Sequence, residues 1–312
     1  MTEEIKFHTV DVGFDIFDDL RKKRLINNTT LSILKAVQSR GGYVAGGFGS
    51  ILARRYLLNK FDRENGEEFY DIVRNHLGHP VPRDGSKWQN AGCGDIDVWF
   101  PTDTAVNLFM NLSNSFVDVS KTQTVTSAAI EFIVESDSRI QVITRWTRPI
   151  NEQLAGFDIY NAMVAVRESK ITVPEHWEQL ESKDVLHVSN WNSQWTMNRL
   201  FKWIGRKHWY VSVTPPTAEY VYDRLVEIIS WKKSMWSNID QHDDQIIDYL
   251  SRDRLKKRVI VQDAYHMHKF LKRIIPSLTN EQLLMISSLF PDVSKYDLSM
   301  KEIYHRASLH SM

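Results

Sequence analysis

The chain has 312 residues, enough for one large domain or two modest ones, and its 42% hydrophobic and 25% charged residues exclude a disordered or fibrous protein. Lys plus Arg and Asp plus Glu both number 39, so there is no global cationic field of the kind that announces nucleic-acid binding. The single cysteine, Cys93, excludes an internal disulfide and any multi-cysteine metal site.

The opening MTEEIKFHTVDVGF has neither a basic region nor an apolar run of signal-peptide length. No later window reaches the roughly 20 apolar residues of a membrane span, so a soluble, cytoplasmic protein is expected. Asn28 or Thr29 is placed to cap a helix through about Ser39, which Gly41 and Gly42 end. Tyr43 to Ala45 read as a short strand, Gly46 to Ser50 as a glycine turn, and Ile51 to Leu58 as a helix. Residues 59–93 are polar and turn-rich and read as an insertion or flap, with one short helix around Glu67 to His76.

Ile96 to Phe100 give an apolar strand, and Thr102 or Asp103 caps a helix over Val106 to Leu112. Ala128 to Val134 and Ile140 to Trp146 form a predicted hairpin around Glu135 to Ser138. Ile150 to Leu154 is a short helix, and Phe157 to Val166 a further strand. Beyond about residue 195 the periodicity is helical, over Trp195–Ile204, Thr217–Lys232, Gln241–Leu255, Val261–Ile274 and Asn280–Leu289. The expected organisation is an α/β domain over residues 1–175, a mixed sheet flanked by helices with the insertion at 59–93, then a mainly helical domain over 176–312.

The chemistry concentrates in GDIDVWF. Alternation along a strand puts Asp95 and Asp97 on one face, where two close carboxylates repel and a dication is the common remedy. A lone D-x-D is also an ordinary solvated strand edge. Two neighbours add to it: VAGGFGS, whose glycines let backbone approach a phosphate at a helix start without being a P-loop, and Asp158, at the opening of the predicted 157–166 strand. Three carboxylates on one sheet can hold two metals.

These residues resemble the nucleotidyltransferase superfamily of poly(A) polymerases, CCA-adding enzymes and small antibiotic-modifying or toxin-antitoxin transferases. Gly46 and Gly47, with Gly49 and Ser50 as an alternative register, match its glycine element, and Asp95-Ile96-Asp97-Val98 its paired acidic strand. Asp158 is the best match to its third acidic residue, with Glu131 and Glu152 as alternatives. AGGF and FDIYNAMVAV look especially like phage and giant-virus encoded members, which would place the protein in a host cytoplasm. The chain departs from the pattern in the long separation of the glycine and aspartate elements by residues 48–94.

The resemblance implies transfer of a nucleoside monophosphate from an NTP, with Asp95, Asp97 and Asp158 holding Mg²⁺, or Mn²⁺ as the alternative ion. It also implies that Gly46, Gly47 and Ser50 cradle the triphosphate. The acceptor stays open between an RNA end, a protein side chain and a small hydroxylated molecule.

In TMNRLFKWIGRKHWY, Arg199, Lys202 and Arg206 share one helix side with Trp203 and Trp209 alongside, a pattern that holds a triphosphate and stacks a base, or that covers a solvated face over buried tryptophans. The basic run 252–258 reads as a solvated face, His266 and His268 as packing, and Cys93 as incidental for want of a base. Two other readings compete: a non-catalytic scaffold of the same fold, and a metal-dependent phosphohydrolase, for which His242-Asp243 is the sole His-Asp pair.

Overall fold

Alternating apolar residues build the first unit. In the strand Asp95–Trp99 (β3), Ile96 and Val98 are buried while Asp95, Asp97 and Trp99 are half-buried. The same alternation in Arg139–Ile143 (β6) buries Ile140 and Val142. The computed structural model describes residues 4–61, 67–77, 95–113, 120–125, 129–134, 139–190, 196, 199–200, 203, 209–223 and 271–276. It divides into two compact units, residues 1–182 and 183–312.

The first unit holds an eight-stranded mixed sheet. With the remaining strands Phe7–Asp11 (β1), Tyr43–Ala45 (β2), Ser120–Val125 (β4), Ala129–Val134 (β5), Ala165–Arg167 (β7) and Lys170–Pro174 (β8), its order is β1-β8-β7-β2-β3-β6-β5-β4. Only β3 and β6 pair in parallel; the other neighbours are antiparallel. The expected hairpin is present as β5 and β6, and β6 ends at Ile143, short of Trp146.

The helices are Ile16–Lys22 (α1), Asn28–Gln38 (α2), Gly46–Leu58 (α3), Glu67–Leu77 (α4), Asp103–Ser113 (α5), Ile150–Ala155 (α6) and Trp177–Ser182 (α7). Asn27, one residue before the expected cap, caps α2 by accepting from the Thr30 N–H. Thr102 caps α5, accepting from the Ala105 N–H. One sheet face, with Val44, Ile96, Val98, Phe132, Ile140, Val142, Val166 and Ile171, is buried, and Phe109 of α5 meets Phe132 there at 6.3 Å. No helix among the described residues is long and apolar enough to cross a membrane.

Three sequence expectations are corrected. The glycine stretch is no loop, because α3 begins at Gly46. Residues 157–166 are no continuous strand: a turn at Asp158 leads into a 3-10 turn, Tyr160–Ala162, and only Ala165–Arg167 joins the sheet. The first part of the 59–93 insertion is core, since α4 buries Phe69, Val73 and Leu77 at helical spacing, with Phe69 against Tyr56 of α3 at 6.2 Å. Residues 78–94, including Cys93, lie outside the described residues.

The second unit has a short parallel pair, Val185–Leu186 (β9) and Ser212–Val213 (β10), and helical residues at 215–223 and 271–274. The helical expectations for 224–270 and 277–312, with the basic run, His242-Asp243, His266 and His268, fall outside the described residues.

Candidate active site

β3 carries the acidic pair. Asp95 and Asp97 occupy alternate positions of one strand, so their side chains leave the same sheet face about 7 Å apart at the backbone. Register fixes their neighbours. Ala45 of β2 lies opposite Asp97 on one side and Gln141 of β6 on the other, and Glu131 of β5 follows Gln141. Glu131, an alternative third carboxylate, is thus two strands from Asp97, about 10 Å by strand spacing, and it pairs with Arg139 at 3.6 Å.

The β2–α3 junction explains its glycine. Gly46 has φ +75°, and a Cβ there would stand 3.4 Å from Asp97 Oδ2. A side chain would be strained in this backbone and would crowd the carboxylate. The start of α3 therefore comes directly against Asp97, with Gly47 half-buried and Gly46 buried. Ser50, one turn further on, is fully buried, so its hydroxyl lies inside the packing of α3 rather than beside Gly46 and Gly47 at a surface.

Asp158 is 7% exposed and follows Phe157, whose ring meets Trp99 of β3 at 5.6 Å. Trp99 shares the face of Asp95 and Asp97, so the turn bearing Asp158 crosses near the far end of the acidic strand. Among the described residues, however, no three His, Cys, Asp or Glu side chains form a group that could hold a metal ion. The pair and Asp158 are separate features in this arrangement. Glu152 is exposed on α6.

Sequence reasoning missed two supports of the site. His76, on α4, stacks on Phe48 at 5.4 Å, and its Nε2 lies 3.2 Å from the Asp95 carbonyl oxygen, tying α4 to both α3 and β3. The second is a buried network. Arg54 of α3 and Glu181 of α7 form an ion pair at 1% and 0% exposure, and the Asn161 amide donates to Glu181 Oε1 at 2.6 Å. Trp177 Nε1 donates to the Asn161 carbonyl at 3.1 Å. The network links α3, the 3-10 turn after Asp158, and α7. Its sequence signal was an arginine inside the apolar helical run ILARRYLL.

In the second unit Arg199 is exposed, whereas Thr196, Leu200 and Trp203 are buried on the other side of that helical stretch. Trp203 stacks on Tyr210 at 6.1 Å, so it serves packing rather than an open stacking face. Lys202 and Arg206 lie outside the described residues.

No family model and no curated protein matches the chain. Solved structures of similar chain course include the Thermotoga maritima CCA-adding enzyme complexed with tRNA, at 12% identity and TM-score 0.43, covering 91% of this chain and 55% of that one. A CCA-adding enzyme in an apo form has 13% identity and TM-score 0.46, covering 94% and 62%. The Bacillus stearothermophilus CCA-adding enzyme in complex with CTP has 12% identity and TM-score 0.40, covering 84% and 58%. The chain thus spans little more than half the length of these proteins, and likeness of this degree carries no inference about substrate.

Proposed function

We propose that this protein is a metal-dependent nucleotidyltransferase that moves a nucleoside monophosphate from an NTP to an acceptor. The observation that carries the reading is the placement of Gly46: a positive-φ glycine opens α3 within 3.4 Å of Asp97 Oδ2, on the face that Asp97 shares with Asp95. A helix start presents unpaired N–H groups to anions, and here it adjoins two carboxylates. A triphosphate and a dication are the ligands that satisfy both at once.

The donor set fits a hard cation, since carboxylate oxygens select Mg²⁺ or Mn²⁺ over softer metals. Asp95 and Asp97 would hold it, with Asp158 as the proposed third ligand. Bound there, the ion would supply charge neutralisation and a lowered acceptor-hydroxyl pKa. The chain's own residues position: N–H groups at Gly47 and the first turn of α3 orient phosphate oxygens, His76 fixes the backbone of Asp95, and Arg199 is a proposed triphosphate contact from the second unit. Ser50, being buried, has a packing role in this reading.

A second reading, a nucleotide-binding module of this fold without transfer, is favoured by one observation: no three-ligand group exists among the described residues. Incubation with α-labelled NTPs, Mg²⁺ and RNA, protein and small-molecule acceptors separates the two. Label transfer with pyrophosphate release, lost in Asp97→Asn, is expected. Metal-dependent nucleotide binding without pyrophosphate release on any acceptor class would leave the binding module.

A further inference from the structure

Beyond β6 the chain leaves the sheet through residues 144–149, and this exit has no part in the site above. Trp146 is 54% exposed, the most open large hydrophobic side chain among the described residues. Its φ is +65°, a left-handed backbone that a bulky residue enters only at a cost. Glycine or asparagine would make the same turn more easily, and an open indole recovers little by burial. The fold therefore gives no reason for tryptophan here.

The neighbours point to a ligand. Arg145 places its guanidinium 5.7 Å from the centre of the indole ring, and Arg148 is exposed two residues on. Thr147 Oγ1 donates to Asp103 Oδ1, which ties the turn to the start of α5, just after β3. Because β6 runs parallel to β3 with Gln141 beside Asp97, Trp146 lies beyond the carboxyl ends of the two strands that frame the acidic pair. Five residues of extended chain reach at most about 17 Å from Gln141, a span of about five nucleotides at stacked spacing.

We propose that Arg145, Trp146 and Arg148 form a platform for an unpaired base of a single-stranded polynucleotide, the acceptor strand of the reaction proposed above, on which its functional meaning rests. A base stacks on the open face of the indole while Arg145 covers the other, and the two arginines meet the phosphates on either side of that base. A free nucleotide offers phosphate on one side only. A protein hot spot also uses Trp and Arg, but inside a ring of contacts that excludes water, whereas Arg145, Arg148 and Pro149 are all exposed.

The test is fluorescence anisotropy of a labelled oligoadenylate of about 15 nucleotides, long enough to reach platform and acidic pair together, titrated with the full chain. The parent binds. Trp146→Gly and Trp146→Asn, which both suit the positive φ, weaken binding at least about tenfold while melting at or above the parent temperature. Trp146→Phe keeps most of the affinity, and Arg145→Ala/Arg148→Ala lowers it and flattens its salt dependence by about two counterions. All these variants keep the Mg²⁺-dependent nucleotide shift in melting temperature, whereas Asp97→Asn loses that shift and still binds the strand, so the platform and the transfer reading fail separately. The proposal is overturned if the parent does not bind the strand, if Trp146→Gly and Trp146→Asn bind like the parent, or if a duplex of equal length binds as tightly; the patch would then belong to a protein partner.

Discussion

The buried Arg54–Glu181 pair offers the sharpest test of how the first unit is held. Arg54→Met keeps the apolar stem but removes the guanidinium, leaving Glu181 at 0% exposure with only the Asn161 amide and its remaining polar neighbours. Breaking a buried pair by removing one partner costs about 3–5 kcal/mol, because the other charge stays desolvated. For a unit of this size each kcal/mol lowers Tm by about 2–4 °C, so the expected fall is roughly 6–20 °C. Arg54→Met with Glu181→Leu removes both charges and should recover most of that loss, since an apolar pair of similar volume is close to neutral. Asn161 then loses its acceptor, which holds recovery about 1 kcal/mol short of complete. Urea unfolding followed by circular dichroism reads both variants and the coupling between them. If Arg54→Met costs less than about 1 kcal/mol, or the double variant is no better than the single, the pair is not sealed from water and the reasoning fails.

Other expectations follow from the site and its supports. Asp97→Asn should leave the nucleotide-free melting temperature within a degree or so of the parent, because a half-buried carboxylate on the open face carries little packing, yet remove the Mg²⁺-dependent stabilisation by NTP, about 2.7 kcal/mol at a hundredfold excess over Kd; an unchanged shift in thermal melts would discard the acidic pair. Phe69→Ala should cost about 3–5 kcal/mol, since this 1% exposed ring packs on Tyr56 and beneath the Arg55 guanidinium, and replacing residues 62–77 by a Gly/Ser linker should unfold the first unit; native-like circular dichroism of the linker variant would return α4 to the status of a flap. His187 donates to or accepts from Thr214 Oγ1 at 2.8 Å, and burial lowers its pKa from the ordinary 6.5. The unfolded chain therefore takes up this proton first as pH falls, so the contribution is fully present above pH 6.5 and is lost progressively below it. Urea midpoints between about pH 5 and 8 should show this loss in the parent and not in His187→Gln; equal slopes would refute it.

What the sequence displays well is local and periodic. The alternation in GDIDVWF places Asp95 and Asp97 on the open face because the buried partners Ile96 and Val98 leave them no other side. The register that sets Ala45 against Asp97, and the parallel pairing of β3 with β6, are long-range choices that no window of sequence contains. The glycine run misled for a physical reason. Glycine is a poor helix former, so Gly46 to Gly49 read as a loop, but the packing demands glycine inside the helix: a Cβ at Gly49 would stand 3.2 Å from the Val164 carbonyl oxygen. FDIYNAMVAV misled in the opposite direction. Its apolar run suits a strand, yet Asn161 is drawn to Glu181 and Trp177, and the backbone turns through 3-10 geometry to reach them.

That same turn governs how a third ligand relates to the acidic pair. Asp158 precedes Asn161 by three residues, and Asn161 is fastened to Glu181, which Arg54 fastens to α3. The helix whose first residue faces Asp97 is thus coupled, through one buried carboxylate, to the segment that carries Asp158. Neither can shift far without breaking a desolvated ion pair, a change that costs several kcal/mol. Asp97 sits in contrast on a half-buried strand face, so ligand binding there needs no such break. A metal bridging all three aspartates would have to form within the slack left to the 157–160 turn, with α3 and α7 as fixed walls. The nucleotide site is therefore built around Asp95, Asp97 and the start of α3, and Asp158 joins it only as far as the Arg54–Glu181–Asn161 network allows.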